Sequence, residues 1–448
     1  MKPARHTAVR LLSLFGALLL AVSCWAGAFS AFAEDEEPEE PLKYSVNSSG
    51  TAYTVSGVND YTLASITVPA THEGLPVTAI GDNAFRDWKK LTSITLPEGI
   101  KSIGNYAFYG CAGLSSVTLP ASCTTLGVFP FAHTTGLTQI RVADGNTAFR
   151  SYDGVLYNAA GTKLVACPAG KTGSYTVRSG VTAIEGYAFD DCALREILLP
   201  SGLKTIGSYA FSASKIESIT IPSGVTTLSL SLFENCKSLV TVNLPSTIQS
   251  MGENVFCGCT ALKSIELPDN LKTLYLWAFD GCTALESVKL PAKLTGIANY
   301  AFQNCKSLKS LTIPESVEGI GRGAFLGCTS LKTLSFSSSV LSVGKRAFYK
   351  CSGLTDVYFD LEAPGHWEAN WDEGLTAKVH WKNEPEETLF GDINLDGTLS
   401  IGDVSRLLLM LEDDSAAENL SRCDIYTDGT ANITDATMLI VIIRSQKK

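Results

Sequence analysis

The chain has 448 residues, 45% hydrophobic, 18% charged and 9% aromatic, a composition that can bury a large core and excludes disorder over most of the length. Its net charge of −10 sits at the ends: Glu34 to Glu40 contribute −6, Glu384 to Glu387 −3 and residues 391–448 −5, against +3 from the first ten residues. Residues 42–383 are close to neutral, with no basic footprint for nucleic acid.

Lys2, Arg5 and Arg10 precede an apolar run from Leu11 to Val22, and Ala31-Phe32-Ala33 has the small-x-small form of a cleavage site. Residues 1–33 therefore read as a secretory signal peptide, and the mature protein as secreted. Val22-Ser23-Cys24 imitates a lipoprotein site, but the apolar residues continuing past Cys24 argue against it. No second segment reaches about 18 apolar residues, so no membrane span is expected. Residues 34–41 form an acidic spacer. In residues 42–79, Lys43–Val55 and Ala64–Val77 are rich in Val, Thr and Tyr, with turn residues at Asn47–Gly50 and Gly57–Asp60. They read as short strands that form an N-terminal cap.

Beyond residue 79 the sequence repeats itself. The stretch from Ile103 to Pro120 returns almost unchanged at Ile297 to Pro314 and again from Ile320 through Phe336. Its Phe falls at Phe85, Phe108, Phe131, Phe189, Phe211, Phe233, Phe256, Phe279, Phe302, Phe325 and Phe348, in steps of 22 or 23 residues with one break. Eleven units at one period, over residues 80–359, predict an array that grows along one axis. In each unit a segment such as Leu91-x-x-Ile94-x-Leu96 alternates as a half-buried strand does, and a proline such as Pro97 or Pro120 ends it. The Ala-Phe segment then predicts a short irregular or helical return with its Phe and Cys pointing inward.

Thirteen cysteines in an exported chain ordinarily suggest disulfides. Eight of them (Cys111, Cys192, Cys236, Cys259, Cys282, Cys305, Cys328, Cys351) hold one repeat position, which Trp88, Thr134 and Ser214 occupy elsewhere. A position that accepts Trp, Thr or Ser has no obligatory bonding partner, and one Cys per turn lacks the paired spacing of a zinc site. The ladder reads as core packing, with free thiols. The break, about 143–178, contains Tyr152–Tyr157 and Thr162–Pro168, two strand-like runs joined by Asn158-Ala159-Ala160-Gly161, a β-hairpin signal. It reads as a hairpin spliced into the sheet rather than an excrescence that contacts ligand. In residues 360–383, His366, Trp367, Trp371 and the strand-like Ala377–Trp381 suit a terminal cap better than a sugar-stacking platform. The Ala-Phe-x-x-Cys-x-x-Leu segments make residues 42–383 resemble the leucine-rich repeats of BspA-like surface proteins. That resemblance implies a β-rich solenoid and accommodates such inserts and caps.

After a Pro/Glu linker at 384–390, the run from Asp392 to Asp403 places side-chain oxygens at loop positions 1, 3, 5, 9 and 12 (Asp392, Asn394, Asp396, Ser400, Asp403), with Gly397 at the sharp turn and the Thr398 carbonyl between. Calcium needs six to eight oxygens in a flexible cage, and this EF-hand-like spacing wraps them around one ion. The pattern recurs 32 residues later with Asp424, Asp428, Thr430, Asn432 and Asp435, but Tyr426 removes one ligand, so the second site is expected to be the weaker. Each loop leads directly into a helix. One stripe is Val404, Leu407, Leu408 and Leu411, and its equivalent is Ala436, Leu439, Ile440 and Ile443. Leu409, Met410, Met438, Val441 and Ile442 are left on other faces, which suggests a partner surface.

This duplicated loop–helix unit, residues 391–448, resembles the type I dockerin, a small all-α calcium-binding domain that plugs an exported protein into a cohesin on a scaffold. By that resemblance loop positions 10 and 11, here Ile401-Gly402 and Ile433-Thr434, help select the cohesin. The two pairs differ, which puts symmetric docking in doubt. His72, His133, His366 and His380 share no metal or triad spacing, and no nucleophile elbow, zinc-protease motif or phosphate loop is present. The expectation is a secreted, non-catalytic binding protein with an unknown protein or glycan ligand on the repeats, fixed by calcium and cohesin to a cellulosome-like scaffold. An enzyme of polysaccharide breakdown with an unrecognised site and an adhesin for host or bacterial surfaces are the alternatives.

Overall fold

The computed structural model describes residues 40–363, 367–382 and Val404. The chain opens with an antiparallel pair, Leu42–Val46 on Tyr53–Val58, so Gly57 and Val58 lie within a strand rather than in a turn. From there the sheets run parallel: Tyr53–Val58 bonds to Leu75–Ile80, which bonds to Ser102–Ile103 and then to Thr125–Leu126. Leu42, Val55, Val77 and Ile80 cover the first coil and are buried.

In a regular coil the anticipated strand is short, as at Ser218–Thr220 or Ser264–Glu266, with its central Ile buried between exposed neighbours. A second strand of only two residues, such as Thr205–Ile206 or Ser250–Met251, comes after the proline turn. The repeat chemistry explains both: each strand buries one β-branched or aliphatic side chain, and the proline separates them. The Ala-Phe return is a chain of tight turns and not a helix. Where coils approach closely, a side chain is excluded: a Cβ on Gly321 would lie 2.4 Å from the backbone of Ala298.

The Phe side chains form columns. Neighbouring rings from Phe85 to Phe131, and from Phe189 to Phe348, stack 5.1 to 5.8 Å apart and nearly parallel. Beside each column the cysteines are free thiols, and they do more than fill space. Cys111, Cys236, Cys259, Cys282, Cys305, Cys328 and Cys351 each donate Sγ–H to the carbonyl of the Phe one coil earlier, at 2.9 to 3.1 Å. Thr134 makes the same bond to Phe108 through its hydroxyl at 2.8 Å, and Trp88 donates its indole N–H to the Tyr61 carbonyl at 3.0 Å. In eight units the position hands a hydrogen-bond donor to the Phe carbonyl that the dry core would otherwise leave unpaired, whereas the Ser214 hydroxyl meets the Cys236 sulfur at 3.4 Å. Burial pushes the Cys236 thiol up to about 12, so these cysteines stay protonated and unreactive.

At the break, Phe149–Tyr152, Val155–Asn158 and Lys163–Ala166 form an antiparallel meander. Its last strand then pairs in parallel with Ala183–Ile184, while Gly173–Thr176 pairs in parallel with Leu194–Leu198, so both sheets resume. The core does not run through. One hydrophobic cluster extends from Leu42 to Leu156 and another from Val155 to Phe359, and the strand Val155–Asn158 feeds both by alternation, Leu156 to the first and Val155 with Tyr157 to the second. At the far end Trp381 stacks on Phe359 at 5.0 Å, with Trp367 and Trp371 set edge-on against the same ring.

A candidate ligand site at the break and the calcium loops

Every return segment carries two residues in the left-handed region, two before and two after its Phe. At the first position φ lies between 52° and 59° in all eleven units. The geometry has a purpose: the N–H groups of Tyr106, Phe108 and Gly110 all point along the array axis and donate to Val128, Pro130 and Ala132 of the next coil. Gly and Asn suit this conformation, whereas bulky side chains resist it by about 1–2 kcal/mol. Yet Tyr106, Phe129, Tyr187, Tyr209, Trp277 and Tyr300 occupy it, all half-buried.

Four of these rings form a row across the break. Phe129 lies 5.9 Å from Tyr106 and 3.9 Å from Tyr187, which stacks on Tyr209 at 4.6 Å. Phe129 and Tyr187 also line a cavity of about 860 Å³ with Phe131, Cys167, Glu185 and Asp190. Its origin is visible in the backbone. The Cys167 N–H donates to the Ala188 carbonyl at 2.7 Å, the bond that the Phe of a regular coil makes, so Cys167 stands where the column needs an aromatic ring. The smaller side chain leaves space between Phe131 and Phe189.

Side chains bridge the same gap. Nε2 of His133, on the coil before the insert, lies 3.4 Å from the carboxylate of Asp190, and its Nδ1 lies 3.4 Å from that of Asp191, on the coil after it. Tyr109 packs edge-on against the imidazole, and Asp87 adds a further negative charge. The contact with Asp191, aided by Asp190, raises the His133 pKa. Asp190 is almost wholly buried, and burial pushes its carboxyl up to about 6 despite the nearby imidazole. Both groups thus hold protons more tightly folded than unfolded. Their contribution to stability is full below their unfolded values and is lost as pH rises, through about 6 for Asp190 and above the ordinary histidine value for His133. The melting temperature is expected to fall by a few degrees between about pH 5 and about pH 8. Calorimetry of an Asp190→Asn/His133→Gln variant should show that part of the slope gone; an unchanged slope would place the pH dependence elsewhere.

Among the described residues no group of three or more His, Cys, Asp and Glu could hold a metal, and no helix is long and apolar enough to cross a membrane. The calcium ligands expected between Asp392 and Asp435 lie outside the described residues, as do the partner residues from Ile401 to Ile442. His366 does too. Val404, the first residue of the earlier apolar stripe, is helical and buried.

Stacked coils, paired short strands and an inward aliphatic ladder define a leucine-rich repeat solenoid. The family model for the BspA type leucine rich repeat region matches in six copies over residues 59–157, 169–286 and 277–363, and the chain belongs to that family. The stretch between the first two matches falls in the insert. A leucine-rich repeat protein from Eubacterium ventriosum is 26% identical, covering 65% of this chain and 94% of its own, with a TM-score of 0.51. One from Bacteroides ovatus is 22% identical (77% and 99% covered, TM-score 0.49), and a leucine rich cell surface protein from Faecalibacterium prausnitzii is 24% identical (73% and 95%, 0.49). No curated protein matches the chain. A dockerin type I domain is matched at residues 390–444, and domains of that type bind calcium. Neither family is catalytic in itself.

Proposed function

We propose that the protein is a secreted, non-catalytic binder that a calcium-loaded dockerin fixes to a cohesin on a cellulosome-like scaffold, in the service of polysaccharide degradation. The dockerin match carries this reading, together with a ligand spacing that supplies two loops with enough oxygens for two ions. Asp392, Asn394, Asp396, Ser400 and Asp403, with the Thr398 carbonyl, hold the first. Asp424, Asp428, Thr430, Asn432 and Asp435 hold the second, more weakly because Tyr426 offers no carboxylate. Leu409, Met410, Met438, Val441 and Ile442, with Ile401-Gly402 and Ile433-Thr434, meet the cohesin.

For the repeats, the half-buried row of Tyr106, Phe129, Tyr187 and Tyr209 supports a glycan ligand. Flat rings offer apolar faces with polar edges, and the near-neutral array favours an uncharged partner. The test immobilises the full-length protein and exposes it to the organism's secreted fraction with calcium or with chelator. A cohesin-bearing scaffold should be retained only with calcium, and not by Asp392→Ala/Asp403→Ala. Retention indifferent to both would sink the anchoring role. On a glycan array, Tyr187→Ala/Tyr209→Ala should lose the signal of the parent protein; equal signals would remove the row as the binding surface.

A further inference from the structure

We infer that Cys167 and Cys192 form a disulfide under oxidising conditions, the one cross-link in a ladder otherwise built of free thiols. Their sulfurs lie 3.9 Å apart, and among the described residues no other two thiols make such a contact. The regular ladder bond is also missing there. Cys192 is the first ladder residue after the insert, and its Sγ meets the carbonyl of Pro168, one residue past the column position, at 3.8 Å, where the other rungs meet the column Phe's own carbonyl at 2.9 to 3.1 Å. The cause is the substitution in the column: a second thiol stands where every other coil has Phe, so Cys192 faces sulfur as well as a distant carbonyl. Closing the bond requires the sulfurs to approach to about 2.05 Å, a change within reach of side-chain rotation between adjacent coils.

Access comes from one side. Cys192 is fully buried, whereas Cys167 lines the cavity and keeps a small exposed edge. A small-molecule disulfide is the oxidant. Burial holds the Cys167 thiol well above its ordinary value, so the step runs through the small fraction that loses its proton to solvent: that thiolate attacks one sulfur of the disulfide and expels the other as a thiolate, which takes up a proton. The Cys192 thiolate then attacks the Cys167 sulfur of the mixed disulfide and expels the second thiol. Two S–H bonds become one S–S bond in the protein, and the external disulfide is reduced to two thiols. The product ties the insert to the C-terminal half of the array and fixes the floor of the cavity. The encounter with oxidant in nature rests on the reading of the protein as exported, but the chemistry is tested without it.

The full-length protein would be treated with oxidised glutathione, both folded and during refolding from the reduced, unfolded chain. It would then be alkylated under denaturing conditions, digested and analysed by mass spectrometry. The expected product is one linked peptide pair, Cys167 with Cys192, two hydrogens lighter than the reduced pair, with Cys236, Cys259, Cys282, Cys305, Cys328 and Cys351 alkylated. Cys192→Ser should stop the reaction at a glutathione adduct on Cys167, and Cys236→Ser should leave the linked pair intact. Recovery of both cysteines alkylated, or both as glutathione adducts, after either treatment would overturn the inference. Linkage of Cys192 to any other cysteine would do the same.

Discussion

Removing calcium from the full-length protein is expected to abolish the helical part of its circular dichroism while the β signal of the repeats persists. The two loops at 392–403 and 424–435 concentrate Asp carboxylates that repel one another without a cation, and each opens a proposed helix. A small metal-dependent domain draws much of its folding free energy from the ion, so an empty loop leaves its helix without a fixed start. Among the described residues, hydrogen-bond donors, rings and aliphatic side chains hold the coils of the repeats, so their β signal is expected to persist. Asp403→Ala should reproduce most of the loss in calcium. Asp435→Ala should act less, since Tyr426 offers the second loop no carboxylate at its third position. A chelator that leaves the helical signal untouched would refute the calcium assignment.

The second large effect belongs to the aromatic column. Phe302→Ala is expected to destabilise the array by about 3–5 kcal/mol, read as a lower urea midpoint. The ring is wholly buried and stacks on Phe279 at 5.4 Å and on Phe325 at 5.6 Å, so truncation opens a void against two neighbours at once. The coils cannot close over it, because their spacing is set by backbone hydrogen bonds, Phe302 N–H to Ala324 among them, and by the thiol of Cys328 on the Phe302 carbonyl. Tyr300→Gly, two residues earlier, is the contrast. It removes a half-buried ring but relieves a left-handed φ of 57°, and should stay within about 1 kcal/mol of the parent. Similar losses for the two would mean that the column carries no special share of the stability.

Much of the solenoid could be read from spacing alone, because a stacked coil repeats its chemistry: the Phe period, the aliphatic alternation and the closing prolines each map to one place in the coil. The two-residue strands such as Thr205–Ile206 escaped, since two residues show no periodicity. The left-handed turns were half visible. The position after Phe carries Asp, Asn or Gly in most units, which signals positive φ, but the position before it holds Tyr, Phe or Trp in six of them and hides the same geometry. Apolar packing explains only the burial of the ladder; Trp, Thr, Ser and Cys also share a donor hydrogen, a clue that lies in the substitutions themselves. Nothing linear could bring His133 to Asp191, 58 residues away, because that contact depends on how the insert is accommodated. The proposed calcium loops are the reverse case: their spacing puts all the ligands assigned to one ion within a dozen consecutive residues, which lie outside the described residues.

The uniformity of the bonds between coils has an evolutionary consequence. From Phe256 to Phe325 each return segment bonds to the next through the same positions, Phe N–H to the Ala carbonyl, and from Cys259 to Cys351 each thiol bonds to the Phe one coil earlier at a fixed offset. A duplication or deletion of one whole unit there would join equivalent surfaces and preserve every partner. The break offers no such freedom, because His133, Asp190, Asp191 and Cys167 have no counterparts one coil away. This lineage can therefore lengthen or shorten its array by unequal exchange in the C-terminal half, while the insert stays as a fixed punctuation mark.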